Sequence, residues 1–171
     1  MTDIVALADR EYIREFLHRY CFALDRGSVD DVMSLFADEC DLELRLGQLH
    51  RGREAVHTWY EVLTRKRMDV LRHQVHNQVI ELRGEEASSQ SYWDVVGDLN
   101  GEAMISAGFY EDTLRKRDGE WRFEKKGIWV QSRAPEALRF IELFCPGCAT
   151  LLDTEVVRPV VTDDRTQRPA S

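Results

Sequence analysis

The fold is decided by residues 70–131, VLRHQVHNQVIELRGEEASSQSYWDVVGDLNGEAMISAGFYEDTLRKRDGEWRFEKKGIWVQ. Four segments of alternating or β-rich character lie at 70–82, 86–97, 102–115 and 120–131. They are separated by Gly84-Glu85, Leu99-Asn100-Gly101 and Asp118-Gly119. Asn-Gly and Asp-Gly favour two-residue hairpin turns, because both central residues there need positive φ. The stretch therefore reads as a meander of long antiparallel strands, ended by Pro135.

Upstream the periodicity changes. Residues 7–26 read as a helix, with Ile13, Phe16, Leu17, Tyr20 and Leu24 at the three-and-four spacing of one face. Gly27 is placed to end it. Ser28 then caps a second helix, with Asp31 favouring the exposed amides of its first turn, expected to run to about Asp38. Residues 39–46 alternate through Cys40, Leu42, Leu44 and Leu46 as a strand, and a turn follows at Gly47-Gln48. A third helix is expected from Gly52 to about Arg67, with Ala55, Val56, Trp59, Tyr60 and Leu63 on its inner side. Helices followed by a meander make an α+β fold, with helices on one face of an antiparallel-rich sheet. Downstream, Glu136 to Phe144 reads as a short helix, and the segment from Leu151 as a surface-lying or frayed tail.

A chain of 171 residues is one domain, large enough for its own core. Lys and Arg number 23 against 31 Asp and Glu, giving a net charge of −8. That balance argues against nucleic acid or an anionic membrane as partner, since phosphates want a basic face. No run approaches the ~18 apolar residues of a membrane span. The N-terminus shows no basic patch followed by an apolar stretch, so a cytoplasmic location is expected. Cys21, Cys40, Cys145 and Cys148 are too few for a disulfide scaffold and read as reduced thiols.

The chemistry centres on His73. Alternation places His73, Val75, Asn77 and Val79 on one face of the first meander strand. Imidazole is a base near neutral pH, and a carboxylate beside it orients the ring and favours its protonated form. Asp25, at the end of the first helix, is the candidate carboxylate, although the helix dipole disfavours an acid there. Tyr20, on the apolar stripe, presents a phenol to the same space. A histidine satisfied by backbone, a solvated helix end and a core tyrosine are the structural alternatives. Alternation also groups Trp121, Phe123, Lys125, Gly127, Trp129 and Gln131, and separately Ser89, Ser91, Trp93 and Val95. Asn77, Trp93, Phe109, Lys125 and Trp129 are the expected substrate-binding residues. Metal binding is not expected. His73 and His76 are three apart on a strand and face opposite ways, and Cys145-Pro146-Gly147-Cys148 has no second ligand pair.

The chain resembles the SnoaL-like group of the NTF2-like superfamily, to which scytalone dehydratase and bile acid 7α-dehydratase belong. The likeness rests on Arg19-Tyr20-Cys21-Phe22-Ala23-Leu24-Asp25-Arg26-Gly27, Asp31 to Asp38, Arg51-Gly52-Arg53-Glu54-Ala55, His73 with Asn77, Gly108 to Asp112, and Asp118 to Phe123. It implies a cone, a curved mixed sheet closed by three N-terminal helices, over residues 1–145, with 146–171 as the tail. In the lyases of this group an aspartate at the end of the first helix pairs with a histidine on the strand, the positions of Asp25 and His73, and in one member a tyrosine stands where Tyr20 does. No metal or organic cofactor is implied, and a homo-oligomer, trimer or dimer, is. Tyr20 replaces a lysine of the dehydrochlorinase members. The cation that some members supply has only Arg133 and Lys125 as candidates.

The sequence thus points to a cofactor-independent, dehydratase-like lyase acting on a small, largely apolar cyclic molecule. Two alternatives stay open. One is a non-catalytic ligand-binding or accessory subunit, like the small partner of a ring-hydroxylating oxygenase. The other is an isomerase in the manner of ketosteroid isomerase, which needs a carboxyl on the inner face of the late strands, Asp94 or Asp112.

Overall fold

The computed structural model describes residues 4–44, 47–65, 70–99, 102–134, 139–144 and 151–157. Among the described residues three helices, α1 (Ile4–Arg26), α2 (Val29–Met33) and α3 (Arg53–Arg65), accompany eight strands. These are β1 (Phe36–Leu44), β2 (Gln48–Arg51), β3 (Val70–Arg83), β4 (Glu86–Leu99), β5 (Glu102–Arg117), β6 (Glu120–Ala134), β7 (Arg139–Phe144) and β8 (Leu151–Val157). The first six strands form one curved, unclosed sheet in the order β2-β1-β6-β5-β4-β3. β1 runs parallel to β6 and every other pairing is antiparallel, so the sheet is mixed. At the β5–β6 turn, Asp118 and Gly119 have φ of 53° and 84°, as the Asp-Gly signal requires. No helix among the described residues is long and apolar enough to cross a membrane.

α1 buries Ile13, Phe16, Leu17, Tyr20, Cys21 and Leu24, an unbroken three-and-four stripe. Each fully buried large apolar side chain on such a stripe contributes about 1.5–3 kcal/mol. The stripe packs on one face of the sheet against Ile80, Ala87, Trp93, Tyr110, Leu114, Trp121 and Phe123. α2 is shorter than its sequence suggested. Ser28 caps it as expected, and Asp31 completes a capping box with it, but the helix stops at Met33 and β1 begins at Phe36. Arg53 explains the early stop. Its guanidinium donates to the carbonyls of Met33, Phe36 and Ala37 at 3.0–3.1 Å, satisfying acceptors that another helical turn would have used.

Two register shifts reassign faces. In β3 the pairing jumps between His76 and Val79, and Asn77 takes a φ of 54°. The bulge moves the inward positions from Leu71, His73 and Val75 to Gln78, Ile80 and Leu82, leaving Val79 60% exposed. In β6 the pairing skips Glu124, with Thr113 opposite Lys125 and Leu114 opposite Phe123. Trp121 and Phe123 therefore share the buried face with Lys126, not with Lys125.

The expected helix at 136–144 is instead strand β7 over its described part, paired antiparallel with β8 in a separate two-stranded sheet. Pairing with residues 151–157 gives this backbone the partners a helix would have found internally. The Cys145–Cys148 turn and the tail beyond 157 lie outside the described residues.

Candidate active site

β3 is an edge strand, so half of its backbone N–H groups point away from β4. The end of α1 lies against that edge. The His73 N–H donates to both oxygens of Asp25, at 3.1 and 3.0 Å. The His73 ring returns on the same carboxylate, with Nδ1 2.6 Å from Oδ1. These contacts offset the cost of an acid at a helix C-terminus. A carboxylate only accepts, so Nδ1 carries a hydrogen and Nε2 of the neutral ring keeps its lone pair. Nε2 has no hydrogen-bond partner among the described residues. The two side chains are 12% and 10% exposed, screened from solvent yet not sealed.

Tyr20 lies deeper. Its hydroxyl is 2.7 Å from that of Tyr60, and both rings are fully buried. One phenol donates to the other, which leaves one O–H of the pair uncommitted. Burial pushes both phenols well above their ordinary range, so they stay protonated donors. Tyr20 also meets Tyr110 edge-on, and Tyr110 stacks on Trp93 at 5.7 Å. An aromatic layer thus runs across the α1-facing side of the sheet.

Beneath it sits a pair of which the sequence pointed only to Asp112, as a candidate inner-face carboxyl, and not to Lys126. Lys126 and Asp112 are opposite each other on β6 and β5, both fully buried, with Nζ 3.0 Å from each carboxylate oxygen. Ser89 donates to Oδ2 at 3.3 Å. The ammonium also lies over the rings of Tyr110, Tyr20 and Phe123, at 3.5, 4.4 and 4.8 Å. Burial drives both groups toward neutrality, raising the carboxyl and lowering the ammonium, and each opposes that drive in the other. The signal available beforehand was Lys125-Lys126: one of two adjacent strand lysines must face inward, and alternation from Trp121 picked the wrong one. Cys21 is buried nearby, and burial pushes its thiol up to about 12, so it is not a thiolate nucleophile.

Of the expected substrate-binding residues, Trp93 faces inward and is 4% exposed. The other four do not. Asn77 is the exposed bulge residue, turned out by its left-handed backbone. Phe109 pairs opposite Tyr92 and stacks on Trp129 at 5.9 Å, on the outer face. Lys125 is outward with Glu43 as its ion-pair partner. Tyr110 and Lys126 occupy the inward positions that Phe109 and Lys125 were expected to fill, a one-residue slip in each strand. Arg133 has no described side chain. His76 is outward, 2.9 Å from Asp94, and among the described residues no group of three His, Cys, Asp or Glu side chains is placed to hold a metal.

The model of the SnoaL-like domain matches residues 5–126. The chain belongs to the SnoaL-like family. Solved structures with the same fold include a scytalone dehydratase-like protein of Novosphingobium aromaticivorans DSM 12444. It is 23% identical with a TM-score of 0.72, over 81% of this chain and 94% of that one. The hexachlorocyclohexane dehydrochlorinase LinA-type3 of Novosphingobium barchaimii LL02 is 19% identical, TM-score 0.68, over 78% and 94%. A protein of unknown function from Nostoc punctiforme PCC 73102 is 27% identical, TM-score 0.62, over 72% and 92%. By sequence alone no curated protein aligns significantly. At these identities the likeness establishes a SnoaL-like fold in the NTF2-like superfamily, and the chemistry has to be argued from the residues.

Proposed function

We propose that this SnoaL-like protein is a cofactor-independent, dehydratase-like lyase acting on a small, largely apolar cyclic molecule held in the cone of the sheet. The observation that carries the reading is the 2.6 Å contact between His73 Nδ1 and Asp25, which leaves Nε2 free to take a proton. The proton comes from a carbon beside a carbonyl. Its electron pair passes to the enolate, then to the new C=C bond as the C–O bond of the β-hydroxyl breaks. The departing oxygen leaves as water with the proton His73 acquired, handed on through the uncommitted O–H of the Tyr20–Tyr60 pair. Asp25 stabilises the imidazolium formed midway. A positioned general base of this kind contributes ~10²–10⁴-fold.

An isomerase would need a free carboxyl on the inner face. Asp112 is there, but Lys126 engages both of its oxygens, which argues for the histidine as the base. The test is a screen of cyclic β-hydroxy carbonyl compounds, read by the ultraviolet absorbance of the conjugated product. Wild type is expected to convert at least one. His73→Ala should abolish turnover with the fold intact, and Asp25→Asn should lower kcat by ~10²–10⁴-fold. Undiminished turnover by His73→Ala would overturn the assignment.

A further inference from the structure

Two buried polar atoms on the α1-facing side of β4 have no hydrogen-bond partner among the described residues, Ser91 Oγ and Trp93 Nε1. Both residues are 4% exposed. Buried donors are almost always paired, so two unpaired ones side by side on a strand mark a place where something else supplies the partner. They stand one pleat apart, about 6.6–6.8 Å along the strand. Val75 is opposite Trp93 and His73 is opposite Val95, so Trp93 and His73 are diagonal neighbours on the same face. Diagonal neighbours of this kind stand ~7–8 Å apart at the backbone, within reach of one another's large side chains.

The indole is also held in a fixed place. Its neighbour across the sheet is Gly108, where a Cβ would come within 2.7 and 2.8 Å of Trp93 Cζ2 and Cε2. Cε2 is bonded to Nε1, so the edge bearing the N–H lies over the space the missing side chain leaves. Stacking on Tyr110 fixes the tilt of the ring. The hydrogen-bond donor is therefore preorganised.

We propose that Trp93 Nε1–H, supported by Ser91 Oγ, holds the carbonyl oxygen of the substrate and stabilises the enolate as His73 removes the adjacent proton. This deepens the lyase reading and rests on it for the reaction, but not for the binding site. An indole N–H donates only, so the group it meets is an acceptor. Both donors are neutral and the carboxylate of Asp25 shares the face, which favours a neutral carbonyl-bearing ring over a carboxylate. The Ser91 hydroxyl, one pleat further from His73, takes the same oxygen or a second oxygen substituent on the far side of the ring.

The probe is 2-naphthol, a flat phenol whose oxygen imitates the enolate, titrated into the full chain labelled with ¹⁵N at its indoles. Loss of one signal in Trp93→Phe assigns Trp93. The expected result is saturable binding that moves the Trp93 N–H signal downfield in wild type and equally in His73→Ala. Affinity should weaken ~3–10-fold in Trp93→Phe and in Ser91→Ala. With an active substrate, Trp93→Phe should lower kcat by ~10²–10³-fold and leave KM nearly unchanged. Circular dichroism checks that both variants fold. An unmoved Trp93 signal at saturation, unaltered affinity in both variants, or absence of saturable binding overturns the proposal and leaves the His73–Asp25 reading standing. Binding through Trp93 with no turnover of any β-hydroxy carbonyl supports the donor site and refutes the lyase.

Discussion

Replacing Lys126 by methionine removes one half of a fully buried ion pair while keeping most of the side chain's volume. Asp112 would then retain the Ser89 hydroxyl at 3.3 Å and the Gly127 N–H, but no cation. Removing one partner of a buried pair costs ~3–5 kcal/mol, because the remaining charge stays desolvated. At ~2–4 °C per kcal/mol for a chain of this size, the melting temperature should fall ~6–20 °C. The deficit should depend on pH. Burial already raises the Asp112 carboxyl above 3.8, and losing Lys126 raises it further. Between its unfolded and folded pKa the native state then binds the extra proton, so stability falls as pH rises through that window. The variant should be weakest at pH 8 and partly recover at pH 5. Urea unfolding followed by circular dichroism measures each value. Asp112→Asn with Lys126→Met should cost at least about 2 kcal/mol less than the two single losses summed, since no buried charge is stranded. A Lys126→Met deficit below about 1 kcal/mol, or strict additivity in the double variant, would refute the reasoning.

Two other outcomes follow from packing and charge. Gly108→Ala would place a Cβ 1.9 Å from the Trp129 carbonyl oxygen, a backbone atom that moves only if β5 and β6 part. It should destabilise by ~1–3 kcal/mol or more and disturb the near-ultraviolet dichroism of Trp93; a change under ~0.5 kcal/mol would contradict the geometry. Asp9 ties α1 to the late strands. Burial pushes its carboxyl up, but hydrogen bonds from Lys116 at 2.7 Å and Trp121 at 3.1 Å, with the Lys116 charge, outweigh that and hold it below 3.8. The stability this contributes is present above 3.8 and lost as pH falls through the lower folded value. Asp9→Asn should therefore melt below wild type at pH 7, with the gap closing at pH 3; an equal gap at both would exclude the linkage.

The helices α1 and α3 and the meander were legible in the sequence because each rests on a local rule, whereas the pairing of His73 with Asp25 came from the resemblance to the SnoaL-like group. Periodicity places the α1 stripe, and Asp-Gly places the β5–β6 turn. His73 and Asp25 lie on the regular side of every irregularity. The rest of the site was lost at single residues. Beyond Asn77 and beyond Glu124 alternation names the wrong face, so Val79, Lys125 and Trp129 exchange places with their neighbours. Asn77 carried a hint, since asparagine tolerates left-handed backbone more readily than most residues. Glu124 carried none: its position is set by which partner residues fill the space opposite, a tertiary fact. Phe109 failed more simply, because its strand has polar and apolar residues on both faces and Tyr110 was the inward aromatic.

Asp25 has a structural duty that would by itself account for a carboxylate at this place. The free edge of β3 needs an acceptor, and the His73 N–H finds one there. An edge cap, however, requires only the backbone contact. It does not require that the same carboxylate hold the ring of the same residue at 2.6 Å, with the second ring nitrogen unclaimed among the described residues. An imidazole serving only to fill space would cost less if it turned both nitrogens to solvent or were replaced by an apolar side chain on this largely apolar face. The backbone contact fixes the acid, and the fixed acid selects the ring tautomer, which puts the lone pair on Nε2. Each step constrains the next, and this chain of constraints is what supports reading His73 as the base of the proposed lyase rather than as part of an edge cap alone.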